Sequence, residues 1–298
     1  MVPINGFTAT TDTVEPISTS GKVVWNGMLY VTNVPDPSIY TSHHMPKLPQ
    51  IQRNSVSSFA TTWPDATDLP TTAWYDDLAI EMTVNKYFRA PHDWCFFDVE
   101  TWDESTDEAA QAARLATATK FATFAQAVRT RLPWLKFGFY NLGAGGSWFG
   151  ATAPIGSATY TAWQAVVEDY AEAYPYVDAF MPATYLFYTR ATDNPQAVSL
   201  SRYFIVNTIL EQQRMVRKYA PGKPIWPFVW PRRHDNTDLL DLDVWELQVR
   251  LTYQYADGMV VWQTIGRDWA VDSLQPWWAN ILAPIMLSGR FPSPAVPR

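Results

Sequence analysis

Two carboxylates follow an apolar run in the segment CFFDVETWDE, residues 95–104. Side chains of a β-strand alternate between two faces, so the even-numbered residues, among them Asp98, Glu100 and Trp102, would share one face. The odd-numbered residues from 95 to 99 are apolar and would form the opposite, packing face. Two acids on one face repel each other and resist burial, so this pair favours a chemical function over packing. The alternative for Asp98 is a buried hydrogen-bond anchor.

The acids that come next in the chain have a simpler explanation. Segment 106–132 is long and rich in Ala, and it predicts a helix with Thr106 as its N-cap. Negative charge near a helix N-terminus is stabilised by the helix dipole. The four acids between residues 103 and 108 therefore fit the solvated start of that helix.

Strand patterns alternate with helix patterns along the chain. The strand patterns lie at 22–31, 94–100, 136–142, 177–187, 224–230 and 258–264. The helix patterns lie at 72–88, 106–132, 161–174, 199–220, 241–256 and 271–286. Such alternation predicts βα units and a parallel sheet, so the fold class is α/β.

The number of units favours a single-domain (β/α) barrel of seven or eight parallel strands, similar to a TIM barrel. We expect residues 1–21 to be an N-terminal extension and residues 22–298 to be the catalytic barrel domain. A doubly wound open sheet is the alternative. That fold usually has a Gly-rich phosphate loop after its first strand, whereas GAGGSWFG (143–150) follows a mid-chain strand and lacks the GxGxxG pattern.

Composition limits the function classes that remain. A formal net charge of −7 argues against nucleic acid or an anionic membrane as partner, because phosphate binding needs clustered Lys and Arg. With Cys95 as the single cysteine and no metal-binding histidine spacing, the 298-residue sequence predicts no disulfide, metal or cofactor. It shows no signal peptide and no transmembrane pattern, so we expect a soluble chain. Compartment, including export or carriage by a phage, and oligomeric state are left open.

In a (β/α) barrel, functional residues lie at the carboxyl ends of the strands. At those ends the chain places aromatic and amide side chains as well as the carboxylates Asp98 and Glu100. The candidates for substrate binding are Trp102, Tyr140, Asn141, Tyr185, Trp230, Trp262 and Gln263. Acids can transfer protons, aromatic rings can stack on sugar rings, and amides can hold hydroxyl or acetamido groups. This combination is typical of a sugar-cleaving site and indicates a glycan or polysaccharide as the partner.

A set of short segments resembles the animal-type hyaluronidases, a family of glycoside hydrolases with a distorted βα barrel. FFDVETW (96–102) is similar to the D-x-E-x-W signature of that family. Further similar segments follow in the family's order, namely VVWN (23–26), FGFYN (137–141), MPATYL (181–186), PIWPFVW (224–230), DGMVVWQT (257–264) and LAPI (282–285). The ordered set carries more weight than any single segment.

The resemblance implies roles for these residues in polysaccharide degradation. Glu100 would be the general acid that protonates the leaving glycosidic oxygen. Asp98 would orient the acetamido group of the substrate, whose own oxygen attacks the anomeric carbon in a substrate-assisted retaining reaction. An ionised Asp98 beside Glu100 would raise the pKa of Glu100 and keep it protonated near neutral pH. Tyr140 and Tyr185 would line the site, and Trp262 would form a wall of the acetamido pocket.

The chain also departs from the family pattern. The paired cysteines are absent, and Ala183 stands where the family has Ser. The acidic charge gives no sign of the basic groove that hyaluronan prefers, so another glycan with N-acetylhexosamine is an equal expectation. Two rivals remain. One is a conventional two-carboxylate glycosidase with Asp235 or Asp178 as nucleophile, and the other is a non-catalytic carbohydrate-binding barrel in a larger, phage-like assembly.

Overall fold

The computed structural model describes residues 22–26, 30–32, 50–52, 68–84, 94–99, 102, 111–143, 148–187, 196–234, 238–263, 267–272 and 274–284. The predicted extension 1–21 lies outside these residues. The strands are β1 Val23–Asn26, β2 Tyr30–Thr32, β3 Gln50–Gln52, β4 Trp94–Asp98, β5 Lys136–Phe139, β6 Phe228–Val229, β7 Gly258–Val261 and β8 Arg267–Asp268. The helices are α1 Thr72–Val84, α2 Gln111–Arg131, α3 Trp148–Thr152, α4 Ala158–Glu168, α5 Ala197–Tyr219, α6 Leu242–Tyr255 and α7 Trp269–Asp272. A 3-10 turn, Tyr174–Tyr176, and a π-helical turn, Trp277–Leu282, complete the set.

The strands pair in parallel. One group has the order β3-β4-β5, a second has the order β1-β7-β6, and β2 pairs separately with β8. Segment 178–183 connects the first two groups, because Met181 bridges to Tyr140 and Phe180 bridges to Ile225. The described residues therefore form one array in the order β3-β4-β5-segment-β6-β7-β1. Strands alternating with helices in a parallel array confirm the predicted α/β class.

Prolines explain why two predicted strands are shorter than expected. The sequence predicted strands over 177–187 and 224–230, but the first forms only isolated bridges and the second is reduced to β6. Pro182, Pro224 and Pro227 have no N–H to donate to the ladder. Their carbonyl oxygens still accept hydrogen bonds from neighbouring segments, at distances of 2.8 to 2.9 Å. The array therefore stays continuous although its strands are interrupted.

The array is strongly curled. β4 and β6 are three positions apart, which in a flat sheet would be a separation of about 14 Å. The ring centroids of Phe96 and Phe228 on these strands are only 4.9 Å apart. Trp25 of β1 and Trp94 of β4, at still more distant positions of the array, have centroids 6.3 Å apart. No β1–β3 pairing is present within the ranges given above, so closure into a barrel stays a prediction.

Curling creates two cores on the two faces of the sheet. The inner cluster contains Trp25, Phe96, Ala179, Met181, Tyr185, Trp226, Phe228, Trp230 and Val260, with Trp94, Tyr140, Ala183 and Trp262 packed against it. Along each strand these positions are two residues apart, as expected for one face of a strand. The larger outer cluster lies between the sheet and the helices, where Phe124 of α2 packs at 4.9 Å from Phe97. The inner cluster supports the candidate site from below.

The predicted helices are largely confirmed. α5 and α6 coincide with the predicted segments to within two residues, and α2 forms the described part of the segment 106–132. α1 begins where predicted, and residues 85–88 of that prediction lie outside the described residues. α4 overlaps the predicted segment 161–174 but ends six residues earlier. Thr106, the predicted N-cap, lies outside the described residues. The last predicted helix is instead divided into α7 and the π-helical turn. The structure also adds the short helix α3, in a segment that the Gly-rich sequence had indicated as a loop.

Candidate active site

β4 places Asp98 at the candidate site. Phe96 belongs to the inner cluster, whereas Cys95, Phe97 and Val99 belong to the outer one, so the predicted alternation is confirmed up to the strand end. Asp98 has the same parity as Phe96 and is the last residue of β4, half-buried at the carboxyl end of the strand. A carboxylate therefore lies at the rim of the aromatic inner core. Glu100, two residues further along the chain, lies outside the described residues.

The prediction that Trp102 shares a strand face with Asp98 is wrong. The backbone N–H of Trp102 donates to the carbonyl of Val99 at 3.0 Å, so the chain turns after β4 and the strand alternation does not continue. The Trp102 side chain is 2% exposed and packs against Phe121 and Phe124 of α2, with ring centroids 5.2 and 6.0 Å away. It belongs to the outer core, which separates it from the inner face that carries Asp98. Trp102 is therefore a packing residue of the outer core and does not line the aromatic surface beside Asp98.

Tyr140 and Asn141 follow β5 at the same edge of the sheet. The Tyr140 ring lies edge-on to Phe228 at 5.0 Å and 6.0 Å from the ring of Tyr185. Asn141 has a φ of 56°, a left-handed conformation that Asn tolerates better than most residues. Its N–H donates to Met181 at 2.9 Å, and its side-chain oxygen accepts from the N–H of Ala183 at 3.2 Å. Asn141 thus holds β5 against segment 178–183 and aligns their ends.

Tyr185 is positioned by its neighbour Thr184. The N–H of Thr184 donates to the carbonyl of Phe228 at 3.0 Å, and its hydroxyl donates to the same oxygen at 2.8 Å. The amide of Gln248, on α6, donates to the carbonyl of Thr184. Tyr185 is buried in the inner cluster, with its ring centroid 5.3 Å from that of Trp230. Two neighbouring elements therefore fix the segment that carries this tyrosine.

Trp230 and Trp262 follow β6 and β7. The backbone N–H of Trp262 donates to the carbonyl of Val229 at 2.9 Å, which continues the parallel ladder. Trp262 is half-buried against the inner cluster, whereas Trp230 is 6% exposed within it. The two indoles and the two tyrosines line one end of the curled sheet. The structure thus brings together Asp98, Tyr140, Tyr185, Trp230 and Trp262 at the carboxyl ends of the strands.

Gln263 is engaged by protein groups on both ends of its amide. Its oxygen accepts from the indole N–H of Trp230 at 3.1 Å and from Nε of Arg232 at 3.2 Å. Its nitrogen donates to Oδ2 of Asp272 at 2.8 Å. Arg232 and Asp272 also form an ion pair of 3.3 Å. The sequence singled out Gln263 as a substrate ligand but did not indicate Arg232 or Asp272.

His234 and Phe187 extend the aromatic surface beyond the predicted residues. The imidazole of His234 lies 5.9 Å from the ring of Tyr185 and 4.8 Å from that of Phe187, centroid to centroid. The backbone N–H of His234 donates to the carbonyl of Leu186 at 2.9 Å, and its side chain is exposed. The sequence did not indicate this contact, because the aromatic neighbours of His234 lie more than forty positions earlier in the chain.

The rival nucleophile Asp178 lies at the other end of the sheet. Its N–H donates to the carbonyl of Phe137 at 2.7 Å, near the start of β5. Met181, three residues later, is the one that bridges to Tyr140, so Asp178 lies about 10 Å further down the strand direction. Its carboxylate pairs with Arg129 at 2.8 Å. The structure therefore places Asp178 away from the candidate site, and Asp235 lies outside the described residues.

Other reactive groups give little additional chemistry. Burial, and then the charge of Asp178, raises the pKa of the Cys95 thiol, so this side chain stays protonated and unreactive. Within the residues that the structure describes, no group of three or more His, Cys, Asp or Glu side chains is arranged to hold a metal ion.

No helix in the described part of the chain combines the length and apolar character that crossing a membrane requires.

The sequence matches no protein-family model and no curated protein. Comparison with solved structures, in contrast, gives a clear likeness. The structure is similar to that of bee venom hyaluronidase, with a TM-score of 0.63 and 11% sequence identity, over 88% of this chain and 99% of that one. It is also similar to bee venom hyaluronidase in complex with a hyaluronic acid tetramer, with a TM-score of 0.50, 10% identity and coverage of 80% and 90%.

These likenesses concern the fold. At 10 to 11% identity the sequences alone give little evidence of a relationship, but the structural match covers nearly the whole length of the bee venom enzyme. The resemblance to hyaluronidases that the short segments indicated is therefore confirmed at the level of the fold. Function must be argued from the residues at the strand ends, because one fold carries many functions.

Proposed function

We propose that this protein is a glycoside hydrolase that cleaves a polysaccharide or glycan at an N-acetylhexosamine. The observation that carries the proposal is the position of Asp98, a half-buried carboxylate at the end of β4 on the rim of an aromatic inner core. The fold likeness to bee venom hyaluronidase supports it. We further propose that the curled array is a closed barrel of seven or eight strands and that residues 22–298 form it.

In the proposed reaction Asp98 and Glu100 have different tasks. Glu100 donates a proton to the leaving glycosidic oxygen. Asp98 accepts a hydrogen bond from the acetamido N–H of the substrate and turns the acetamido oxygen toward the anomeric carbon. That oxygen attacks the anomeric carbon, and the leaving group departs with the proton of Glu100. Water then attacks the anomeric carbon of the cyclic intermediate, gives a proton to Glu100 and reopens the acetamido group with overall retention. No enzyme nucleophile is needed, which agrees with the position of Asp178 at the far end of the sheet.

The aromatic residues form the proposed subsite. Tyr140 and Tyr185 lie on adjacent segments with ring centroids 6.0 Å apart, and Trp230 packs against Tyr185. Their rings offer apolar faces to the C–H faces of a sugar, while the phenol groups can hydrogen-bond hydroxyls. Trp262, half-buried beside them, is proposed as the wall of the acetamido pocket. Asn141 is retained as a binding residue through its amide, although its oxygen already bonds Ala183.

The decisive experiment compares Glu100→Gln and Asp98→Asn with the wild type on a panel of glycans with and without N-acetylhexosamine. New reducing ends are measured, and thermal unfolding checks that each variant folds. Glu172→Gln, on the exposed side of the molecule, and Asp178→Asn, at the opposite end of the sheet, are the matched controls. We expect turnover only on acetamido sugars, lost in both site variants and kept in both controls.

Other outcomes separate the rival functions. Cleavage of glycans that lack an acetamido group would require an enzyme nucleophile and would favour the conventional two-carboxylate glycosidase. Binding to a glycan without turnover in the wild type, unchanged by Glu100→Gln, would favour a non-catalytic carbohydrate-binding barrel. The absence of both binding and turnover on acetamido glycans would refute the proposal.

A further inference from the structure

We propose that Gln263 is a positioning residue. Together with Arg232 and Asp272 it fixes the indole of Trp230 at the wall of the glycan subsite, and it does not bind the glycan itself. The inference rests on the proposed function for the identity of the subsite. The hydrogen-bond network that carries the inference is independent of that function.

The side chain of Gln263 has almost no capacity left for a ligand. A carboxamide can accept two hydrogen bonds and donate two. Here the oxygen accepts from Trp230 and Arg232, and the nitrogen donates to Asp272. Gln263 is also 0% exposed. A sugar would therefore have to displace packed side chains to reach this amide.

The chemistry of the partners dictates the orientation of this amide. An indole N–H and a guanidinium only donate, whereas a carboxylate only accepts. The oxygen of Gln263 must therefore face Trp230 and Arg232, and its nitrogen must face Asp272. The Arg232–Asp272 ion pair of 3.3 Å closes a ring of three side chains, in which the charges compensate each other. A buried network of this kind is rigid because every rotation breaks a bond out of contact with water.

Trp230 is the residue that this network holds in place at the proposed subsite. Its indole N–H is held by Gln263, and its ring packs against Tyr185 with centroids 5.3 Å apart. A side chain already held in its binding conformation loses less freedom when a ligand arrives. By this argument we expect the network to strengthen glycan binding by about two- to tenfold. It would contribute to KM and leave kcat nearly unchanged, since it touches no reacting atom.

The first test is Gln263→Met, which keeps the length and volume of the side chain but removes every hydrogen bond. Gln213→Met is the matched control, because the amide of Gln213 is also hydrogen-bonded within the protein, but it donates to the backbone carbonyl of Tyr255 and joins α5 to α6. Two readouts are used, the indole N–H signal of Trp230 in ¹H–¹⁵N spectra and affinity for the tetrasaccharide of N-acetylglucosamine. The signal is assigned by its loss in Trp230→Phe.

We expect Gln263→Met to shift the indole signal, to accelerate its exchange with solvent, and to weaken tetrasaccharide binding by about two- to tenfold. Gln213→Met should change none of these. An unchanged indole signal in Gln263→Met would overturn the proposal. A complete loss of binding with the indole signal unchanged would show instead that Gln263 contacts the glycan. If the wild type does not bind the tetrasaccharide, the proposed function is weakened, while the indole signal still decides whether Gln263 positions Trp230.

A second variant keeps the test decisive if Gln263→Met does not fold. In Gln263→Glu the introduced carboxylate still accepts from Trp230 and Arg232 but faces the carboxylate of Asp272, so the ring is broken. Protonation of the introduced group restores a donor toward Asp272. We therefore expect the indole signal of this variant to return toward the wild-type position as the pH is lowered. A signal that does not depend on pH in the variant would contradict the proposed ring.

Discussion

Replacing Asp178 by Asn tests which carboxylates take part in the chemistry. Oδ2 of Asp178 accepts from the backbone N–H of Phe137 at 3.0 Å and pairs with Arg129 at 2.8 Å. Asn keeps the shape and one acceptor oxygen but removes the charge. The side chain lies near the start of β5, remote from the strand ends where Asp98 is found. We therefore expect a loss of stability and no loss of catalysis.

The size of the effect follows from the two interactions. The ion pair is partly exposed, with side-chain exposures of 33% for Arg129 and 23% for Asp178, so its loss costs about 0.2–1 kcal/mol. The hydrogen bond from Phe137 changes from charge-assisted to neutral, at a cost of about 1 kcal/mol. The free energy of unfolding should fall by about 1–2 kcal/mol in total. For a chain of this size that lowers Tm by roughly 2–3 °C.

The assay combines thermal unfolding with kcat/KM on an acetamido glycan. Asp178→Asn should lower Tm as calculated and keep kcat/KM within about twofold of wild type. Asp98→Asn should reduce kcat/KM by several orders of magnitude without requiring a change in Tm. A loss of activity above about tenfold in Asp178→Asn, at unchanged Tm, would refute the placement of Asp178 outside the chemistry. It would then revive the conventional two-carboxylate mechanism.

Three further predictions concern stability and reactivity. Hydrogen bonds from Lys218, Tyr219 and Arg214 lower the pKa of Glu168 from 4.5 to about 2. The stability that these bonds give to the folded protein is therefore fully present above pH 4.5 and is lost as the pH falls toward 2. Glu168→Gln should therefore flatten that part of the pH dependence of urea unfolding, and an unchanged slope would contradict it. Gly138→Ala would place a Cβ 2.7 Å from the carbonyl oxygen of Ala179, so the urea midpoint should show a destabilisation of about 1–3 kcal/mol. Because burial raises the pKa of Cys95, a thiol reagent should label this residue only in denaturant, and rapid labelling of the native protein would refute its burial.

The sequence was a good guide to the faces of the strands. The alternation in β4 correctly separated Phe96 and Asp98 from Cys95 and Phe97, because side-chain direction in a strand is a local property of the backbone. The order of strands and helices was equally local, and it predicted the parallel α/β class. What the pattern did not show was where a strand ends. The turn after Val99 moved Trp102 into the outer core.

Interactions between distant parts of the chain were the least predictable. Gln263 has the residue type of a sugar ligand, and only its contacts with Arg232 and Asp272 show that it is occupied by the protein. Those partners are 31 and 9 positions away in the sequence, and no spacing rule connects them. His234 was missed for the same reason, because Tyr185 and Phe187 are brought beside it by hydrogen bonds between neighbouring segments that are distant in the sequence.

The tryptophans beneath the proposed subsite limit the direction from which a polymer could reach it. Trp25, Trp94 and Trp226 pack together with ring centroids 4.6 to 6.3 Å apart, below the level of Tyr140 and Tyr185. Among the described residues, these indoles fill the space enclosed by the curled sheet beneath the proposed subsite. Under the proposed function, a long polymer would therefore lie across the carboxyl ends of the strands. Both fragments of a cut chain would then leave on the side from which the polymer arrived.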